Sequence, residues 1–451
     1  MRLAWCSPLP PVRSGIAGYS ADILPLLAAR HTVEVFVASR DEVAWASAHG
    51  LEAAPAHDLV WKHARAPYDL IAYQLGNSWC HDYMWPYIFQ LPGLVVLHDG
   101  HLHHARAWSL LRRQRRDEYR AEFEYAHPEA PPNSAAIGLA GFAGPVYYFW
   151  PMLRAVVDAA RTSVVHSHGL ASSLRQMYPG RDVESIRMGV PDPMAGASER
   201  ERIRARHAVP PETMLVAAYG GVTPEKRIPQ ILRALAATRL VQPNLKLLLV
   251  GATTDHYDSK ADAAAAGVSD LVTVTGYVPD SELPAYLAAA DVACCLRWPS
   301  AQETSASWLR CLAAGLPTII TDLAHQSELP TLDPRNWAVQ HGLPTLANQT
   351  PVAVAIDILD EDHSLALALR RLVTDAALRQ QLARAARSHW VSQHQLDHMA
   401  DDYDRVLTAA ALRGAPGAAL PPHLRPNPLD HAQTLIAPFG LTTRDLDLDP
   451  S

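Results

Sequence analysis

The sequence is poor in cysteine, in lysine and in long hydrophobic runs. Its five cysteines include no CxxC pair, so the sequence indicates neither a disulfide framework nor a zinc site. No apolar run approaches the roughly 18 residues that cross a bilayer, and the first residues lack the apolar core of a signal peptide. We therefore expect a cytoplasmic protein without a transmembrane segment.

The chain also lacks an excess of positive charge. Its 451 residues carry a formal net charge of −7, which argues against a nucleic-acid partner. A basic run between residues 112 and 116 leaves peripheral membrane contact open, although the acidic residues beside it favour a solvated face. Arginine is abundant, whereas lysine occurs only at Lys62, Lys226, Lys246 and Lys260.

Short apolar runs alternate with helical patterns along most of the chain. In the first half, "RLAWCS", "TVEVFVA", "YDLIAYQL" and "GLVVLHD" predict buried strands. In the second half, "MLVAAYG", "LKLLLVG", "VACCL" and "LPTIITD" do the same. Strands separated by helices predict parallel sheets. The predicted fold class is therefore α/β, with two tandem Rossmann-like, doubly wound domains and a cleft between them.

A stretch rich in Pro, Gly and charge, "MGVPDPMAGASER", marks the seam between the two predicted domains. We predict a first domain over residues 1–195, with a helical insertion at about 100–160, and a second domain over 196–395. Residues 396–451 are predicted to form a helix and then a Pro-rich tail. The tail ends in "DLDLDP", whose acidic spacing resembles a metal-binding DxD but whose terminal position argues against that function.

The stretch "PSAQETSASWLRCLAAGLP" follows a predicted strand and leads into a helix. Ligands of open α/β sheets bind outside the carboxyl ends of the strands, and a helix N-terminus favours phosphate. Glu303 is the acidic residue of this stretch, and Thr304, Ser305, Ala306 and Ser307 surround the expected helix start. The alternative is that a Ser or Thr caps a purely structural helix.

A second candidate loop, "YGGVTPEKRI", follows the first strand of the second domain. Gly221 permits close backbone approach, and Lys226 and Arg227 place cations where an anion would bind. The alternative is a solvated helix start in which these side chains face water.

Two segments of the first domain border the same predicted cleft. His98 stands at the carboxyl end of a strand in "LHDGHLHHAR", where it can bond a sugar hydroxyl or move a proton. Gly15 and Ile16 lie in "PPVRSGIAGYS", a loop that opens a helix. This loop is not the G-x-G-x-x-G fingerprint, which argues against an NAD enzyme. The adjacent histidines make a metal conceivable, but without matching carboxylates we assign no metal residues.

Taken together, these motifs resemble glycosyltransferase family 4, whose members are retaining enzymes of the GT-B fold. That family carries P-S-x-x-E-G-F-G-x-x-x-x-E-A-x-A-x-G-x-P in its second domain. Its front is matched by Pro299, Ser300 and Glu303, and its back by Ala313, Gly315 and Pro317. The resemblance implies that Glu303 and His98 contact the donor sugar and that Lys226 binds phosphate. It also implies that "GYVPD", with Tyr277 and Val278, lies against the base, and that the C-terminal helix returns to the first domain.

The chain departs from the family pattern at two places. The second family glutamate, which holds the ribose, falls on Cys311 when counted from Glu303 and on Arg310 when counted back from Gly315. A thiol is a weak hydrogen-bond partner and a guanidinium can only donate. The arginine of the family's phosphate loop is replaced by Gly221. Both changes concern donor binding, and the two registers of the ribose position stay open.

The expected function is retaining, metal-independent transfer of a sugar from a nucleotide-sugar to an unknown hydroxyl acceptor. Glu303, His98 and Lys226 are the expected catalytic residues. No cofactor is expected, and the acceptor can be a glycan, a lipid-linked glycan or a small molecule. One alternative is a catalytically silent GT-B protein that binds or scaffolds a partner. Another is a GT-B enzyme that acts on the donor alone, such as an epimerase.

Overall fold

The computed structural model describes residues 1–142, 144–254, 257–326, 328–340 and 350–425, together with 429, 433, 436 and 439–446. Two separate sheets organise these residues. The tail aspartates Asp447 and Asp449 of "DLDLDP" lie outside the described residues.

The first sheet has seven parallel strands in the order β3-β2-β1-β4-β5-β6-β7. They are β1 (Arg2–Cys6), β2 (Thr32–Val37), β3 (Glu52–Pro55), β4 (Leu70–Leu75), β5 (Leu94–Leu97), β6 (Thr162–Val165) and β7 (Val183–Ser185). In the register, Trp5 is level with Val35 on one side and Ala72 on the other. The strands read as continuous apolar runs because helices cover both faces of the sheet.

The described part of the first unit contains ten α-helices. They are α1 (Gly15–Ala28), α2 (Arg40–Ala48), α3 (Asp58–Arg65), α4 (Trp85–Gln90), α5 (His103–Arg112), α6 (Arg116–Ala126), α7 (Ala135–Leu139), α8 (Pro145–Phe149), α9 (Arg154–Ala159) and α10 (His168–Met177). Helices α5 to α9 lie between β5 and β6 and form the helical insertion. The insertion has an apolar cluster of its own around Tyr119 and Phe123.

The second sheet has the order β10-β9-β8-β11-β12-β15-β13-β14. Its strands are β8 (Met214–Tyr219), β9 (Leu245–Val250), β10 (Val272–Val274), β11 (Val292–Cys295), β12 (Thr318–Thr321), β13 (Thr331–Leu332), β14 (Val339–Gln340) and β15 (Ala353–Ile356). Every pairing is parallel except that of β13 with β14. The prediction of two tandem doubly wound units is confirmed.

Among the residues that the structure describes, eight α-helices follow the first unit. They are α11 (Ala197–Arg206), α12 (Ile228–Arg239), α13 (Ser259–Ala265), α14 (Leu283–Ala289), α15 (Ala306–Ala313), α16 (Glu361–Thr374), α17 (Ala376–Gln393) and α18 (Leu396–Ala411). Within the described ranges, no helix combines the length and the apolar character needed to cross a membrane.

Helix α18 packs against the first unit although it ends the sequence of the second. Six of its side chains are fully buried at helical spacing, namely Met399, Ala400, Tyr403, Val406, Leu407 and Ala410. The hydroxyl of Tyr403 lies 2.6 Å from that of Tyr19 in α1. A single apolar cluster therefore contains side chains of β1, α1 and α18.

Candidate active site

The two phosphate-loop candidates meet at the point where the strand order of the second sheet reverses. Strand β8 lies between β9 and β11, so the loops after β8 and β11 leave neighbouring strands in opposite directions and open a crevice. A cleft lies there and is lined by Lys226, Arg297, Glu303, Ser305 and Ser307, among others. The topology thus brings together motifs that are about 80 residues apart in the sequence.

Helix α15 presents its N-terminus to this cleft. Ser305 is the N-cap, and its Oγ accepts a hydrogen bond of 3.3 Å from the backbone N–H of Trp308. The buried side chains of Trp308 and Leu309 anchor the helix to the core. Thr304 precedes the cap and Ala306 is the first helical residue. The remaining free N–H groups and the helix dipole make this end a site of positive potential.

Lys226 lies opposite this helix end, in the loop that follows β8. Its ammonium donates to the carbonyl oxygen of Tyr219. Gly220 has a φ of +90°, and a Cβ there would lie 2.5 Å from Nζ of Lys226 and 3.4 Å from Oγ of Ser307. The glycine therefore leaves the space that the lysine occupies. Burial, followed by the charge of Arg297, lowers the pKa of Lys226 to about 8.

The other two residues predicted in this loop are placed differently. Arg227 has a φ of +58°, which directs its side chain to α16, where Nε donates to Glu361 at 2.7 Å and the guanidinium forms a two-pronged ion pair. Its charge is thus neutralised away from the cleft. Gly221 is exposed beside the loop, and the close backbone approach is made by Gly220 instead.

Glu303 lies in the cleft with its carboxylate already paired. Its Oε1 is 2.6 Å from Nε of Arg297, and Ser300 Oγ donates to Oε2 at 3.1 Å. Arg297 follows the end of β11, and its backbone N–H donates to Thr321 Oγ1 at 3.0 Å. Our sequence reasoning missed Arg297. The available signal was a basic residue in the exit loop of a buried strand, two residues before the recognised motif.

The first unit contacts this loop through the end of β5. The backbone N–H of Gly100 donates to the carbonyl oxygen of Ala301 at 2.6 Å. Beside it, Asp99 accepts a 2.7 Å hydrogen bond from the backbone N–H of Asn77. Burial, reinforced by the charge of Glu303, raises the pKa of Asp99 to about 7. The charge of Glu303 therefore acts on Asp99 across the boundary between the units.

His98 lies just beneath this boundary and is almost fully buried. Its Nε2 is 2.9 Å from Oε1 of Gln74, and its ring makes an edge contact with Tyr19 at 4.7 Å between centroids. Burial, with His166 and His81 nearby, holds the pKa of His98 well below its usual range. His98 is therefore a neutral hydrogen-bonding group in the floor of the first unit. Among the described residues, no three His, Cys, Asp or Glu side chains are grouped to hold a metal ion.

The predicted glycine loop of the first domain and the loop predicted to lie against the base meet where α1 faces the second unit. Gly15 and Ile16 are the first residues of α1, and Ser14 caps them by accepting from Ile16 N at 3.2 Å. Tyr277 is half exposed, with the guanidinium of Arg13 at 4.4 Å from its ring centroid. Val278, next to Tyr277, packs against the apolar cluster behind the loop. The loop after β10 thus reaches the loop before α1.

The structure separates the two registers of the missing ribose carboxylate. Cys311 is fully buried, with its Sγ 3.9 Å from Sγ of Cys295, so its expected contact with the donor does not fit this structure. Arg310 faces the first unit instead and pairs with Asp22 of α1 at 3.3 Å. Burial raises the pKa of Asp22 to about 6, despite the opposing charge of Arg310. The register counted back from Gly315 is therefore the one whose side chain faces the first unit.

Comparison with known sequences finds a family match in the second unit. Residues 199–329 match the family described as Glycosyl transferases group 1. These residues include the loop after β8 and the start of α15. The GDP-mannose-dependent alpha-(1-6)-phosphatidylinositol monomannoside mannosyltransferase of Mycobacterium tuberculosis is 29% identical over 223 residues, which cover 47% of this chain and 54% of that enzyme. The chain thus spans about half the length of the curated relatives it matches.

Comparison with solved structures establishes the fold. A glycosyltransferase from Rickettsia africae superposes with a TM-score of 0.62 at 12% identity, covering 91% of this chain and 99% of that one. Anabaena Alr3699/HepE in complex with UDP-glucose superposes with a TM-score of 0.61 at 14% identity, covering 91% and 100%. The chain has the GT-B fold, as the resemblance implied.

Proposed function

We propose that this chain transfers a sugar from a nucleotide-sugar donor to a hydroxyl acceptor. The observation that supports this best is the single cleft in which Lys226, the N-terminus of α15 and Glu303 meet. The cation and the positive potential of the helix end suit a diphosphate, and the carboxylate suits the hydroxyl groups of the sugar attached to it. The matched family and the UDP-glucose in the Anabaena structure point to the same class of donor.

In this proposal, the diphosphate leaving group binds between Lys226 and the N-terminus of α15. Cleavage of the bond between the anomeric carbon and the phosphate oxygen leaves negative charge on that oxygen. Preorganised N–H groups and an ammonium stabilise this charge as it develops. We propose metal-independent transfer because these groups already supply positive charge at the phosphates. Ser305 and Ser307 add hydroxyl groups on the same side of the cleft.

The sugar then lies between Glu303 and the end of β5. A carboxylate accepts hydrogen bonds from sugar hydroxyls, and Glu303 is the acidic side chain nearest the helix start. We propose retention, in which the acceptor hydroxyl attacks from the side of the leaving group and its proton passes to the departing phosphate oxygen. Asp99, with a pKa raised to about 7, borders this space from the first unit and can accept a hydrogen bond from the acceptor.

The test is a thermal-shift panel of UDP-, GDP-, ADP-, dTDP- and CMP-sugars on the wild type and on Lys226→Ala. A donor at about 100 times its dissociation constant stabilises the fold by about 2.7 kcal/mol, which raises Tm by about 5–10 °C for a domain of this size. We expect one nucleotide class to give this shift and Lys226→Ala to lose it. A Lys246→Ala control should keep the nucleotide-induced gain in Tm, which would show that its loss in Lys226→Ala is specific.

Two further readouts separate transfer from binding alone. Glu303→Gln is expected to keep stabilisation by the nucleotide while losing turnover of the sugar donor. The anomeric configuration of the product, read by NMR, distinguishes retention from inversion. Failure of every donor to stabilise the wild type at millimolar concentration would favour a silent GT-B protein that binds a partner. Turnover of the donor without any acceptor would favour an enzyme of the epimerase kind.

A further inference from the structure

The loop after β8 brings one cation to the cleft. Arg227 is committed to Glu361, which is itself buried, and position 221 carries no side chain. Lys226 therefore stands alone in that loop, and its pKa of about 8 leaves part of the population uncharged above neutral pH. A diphosphate carries more than one negative charge, so the single positive charge of this loop does not neutralise the ligand.

Arg297 lies on the other wall of the same cleft. It follows the carboxyl end of β11, the strand next to β8 at the point where the strand order reverses. The hydrogen bond from its backbone to Thr321 fixes its position, and its side chain is 35% exposed. It lines the cleft together with Lys226, Ser305 and Ser307. A guanidinium there is close enough to Lys226 to help lower its pKa.

The partner of Arg297 is the residue to which we assign the sugar. Arg297 Nε lies 2.6 Å from Glu303 Oε1, so the two side chains form an ion pair with each other. A partly exposed ion pair of this kind is weak, whereas a guanidinium binds phosphate oxygens through two parallel hydrogen bonds. A diphosphate can therefore displace Glu303 from Arg297.

We propose that Arg297 is the second diphosphate-binding cation of the site and that it stays paired with Glu303 until a donor binds. When the phosphate binds the guanidinium of Arg297, the carboxylate of Glu303 is free to accept hydrogen bonds from the sugar. Binding of the phosphate and binding of the sugar are then coupled, and a nucleotide without a sugar leaves Glu303 without its charged partner. This inference rests on the proposed function, because it assigns a role within the same cleft.

The experiment is calorimetric titration of UDP, GDP, UMP and GMP into the wild type, Arg297→Gln, Glu303→Gln and the double variant. Arg297→Gln is expected to weaken binding of the diphosphate by about ten- to a hundredfold and to affect the monophosphate less. Glu303→Gln is expected to tighten binding of the diphosphate several-fold, because it releases Arg297. The double variant is expected to lose that gain, which identifies Arg297 as its source.

The matched control is Arg233→Gln, which removes the same charge from an exposed pair with Asp362 on the outer surface of the second unit. Its affinity for nucleotides should equal that of the wild type. If Arg297 only positions Glu303, the variants Arg297→Gln and Glu303→Gln will have the same affinity for the diphosphate. That result overturns the inference and leaves the proposed function standing. A wild type that binds none of these four nucleotides and is stabilised by none of the five classes of donor overturns both.

Discussion

Nucleotide binding should depend on pH through Lys226. Its pKa is lowered from 10.5 to about 8 in the free protein, first by burial and then by Arg297. About half of the molecules therefore carry a neutral amine at pH 8, and about nine in ten do at pH 9. A bound diphosphate would favour the ammonium and restore the pKa towards its ordinary value. Binding above pH 8 must then take up a proton from the solvent.

The size of the effect follows from this shift. Each pH unit above the pKa of the free protein weakens binding about tenfold, so Kd is expected to rise about tenfold between pH 7 and pH 9. Calorimetry with UDP or GDP in buffers of different ionisation enthalpy measures both the affinity and the proton uptake. At pH 9, uptake should approach about 0.9 protons per nucleotide.

The matched variant is Lys226→Arg, because a guanidinium stays protonated over this whole range. It should bind the diphosphate with little dependence on pH and without proton uptake. The same pH profile in wild type and Lys226→Arg would refute the reasoning, since the titrating group would then be another one. A wild-type affinity that is flat from pH 7 to pH 9 would mean that Lys226 does not contact the phosphates.

Two further predictions follow from the helix that bears the ribose position. Cys311→Glu should lower Tm by more than about 5 °C and should not tighten nucleotide binding, because it places a carboxylate in the core. Cys311→Ala is the control. Tighter nucleotide binding by Cys311→Glu at unchanged Tm would show that residue 311 can face the cleft. Burial raises the pKa of Asp22 to about 6, so the folded state holds this proton more tightly than the unfolded chain, and the contribution of Asp22 to stability falls as the pH rises from about 4 to about 6. Asp22→Asn should remove that slope and raise the unfolding free energy at pH 7 by up to roughly 3 kcal/mol, seen as a gain in Tm at pH 7 and little change at pH 4. Equal changes at both values would contradict the assignment.

The sequence was sufficient to predict the architecture. Strands of a parallel sheet covered on both faces are almost wholly apolar, so runs such as "LKLLLVG" stand out against the amphipathic helices between them. The start of α15 was also predictable, because Ser305 has the residue type of an N-cap. Neither prediction depends on how distant segments pack.

Side-chain direction was harder to predict, because it depends on local backbone angles and on tertiary partners. Arg227 sits at a left-handed backbone position and pairs with a residue more than 130 positions away, so its departure from the cleft has no local signal. The burial of Cys311, in contrast, did have a local signal in the sequence. The buried side chains of α15 are Trp308, Leu309, Cys311, Leu312 and Ala313. This helical spacing leaves Arg310 pointing away from the core.

The return of α18 to the first unit has a consequence for engineering. A natural way to change the donor would be to exchange the second domain for that of a relative. An exchange at residue 195 that carries the foreign chain to its end would also replace α18. The replaced surface includes Tyr403, whose hydroxyl touches that of Tyr19 and approaches Gln74 at 3.4 Å, directly behind His98. A workable chimera therefore needs two junctions, with the native chain resuming before Leu396.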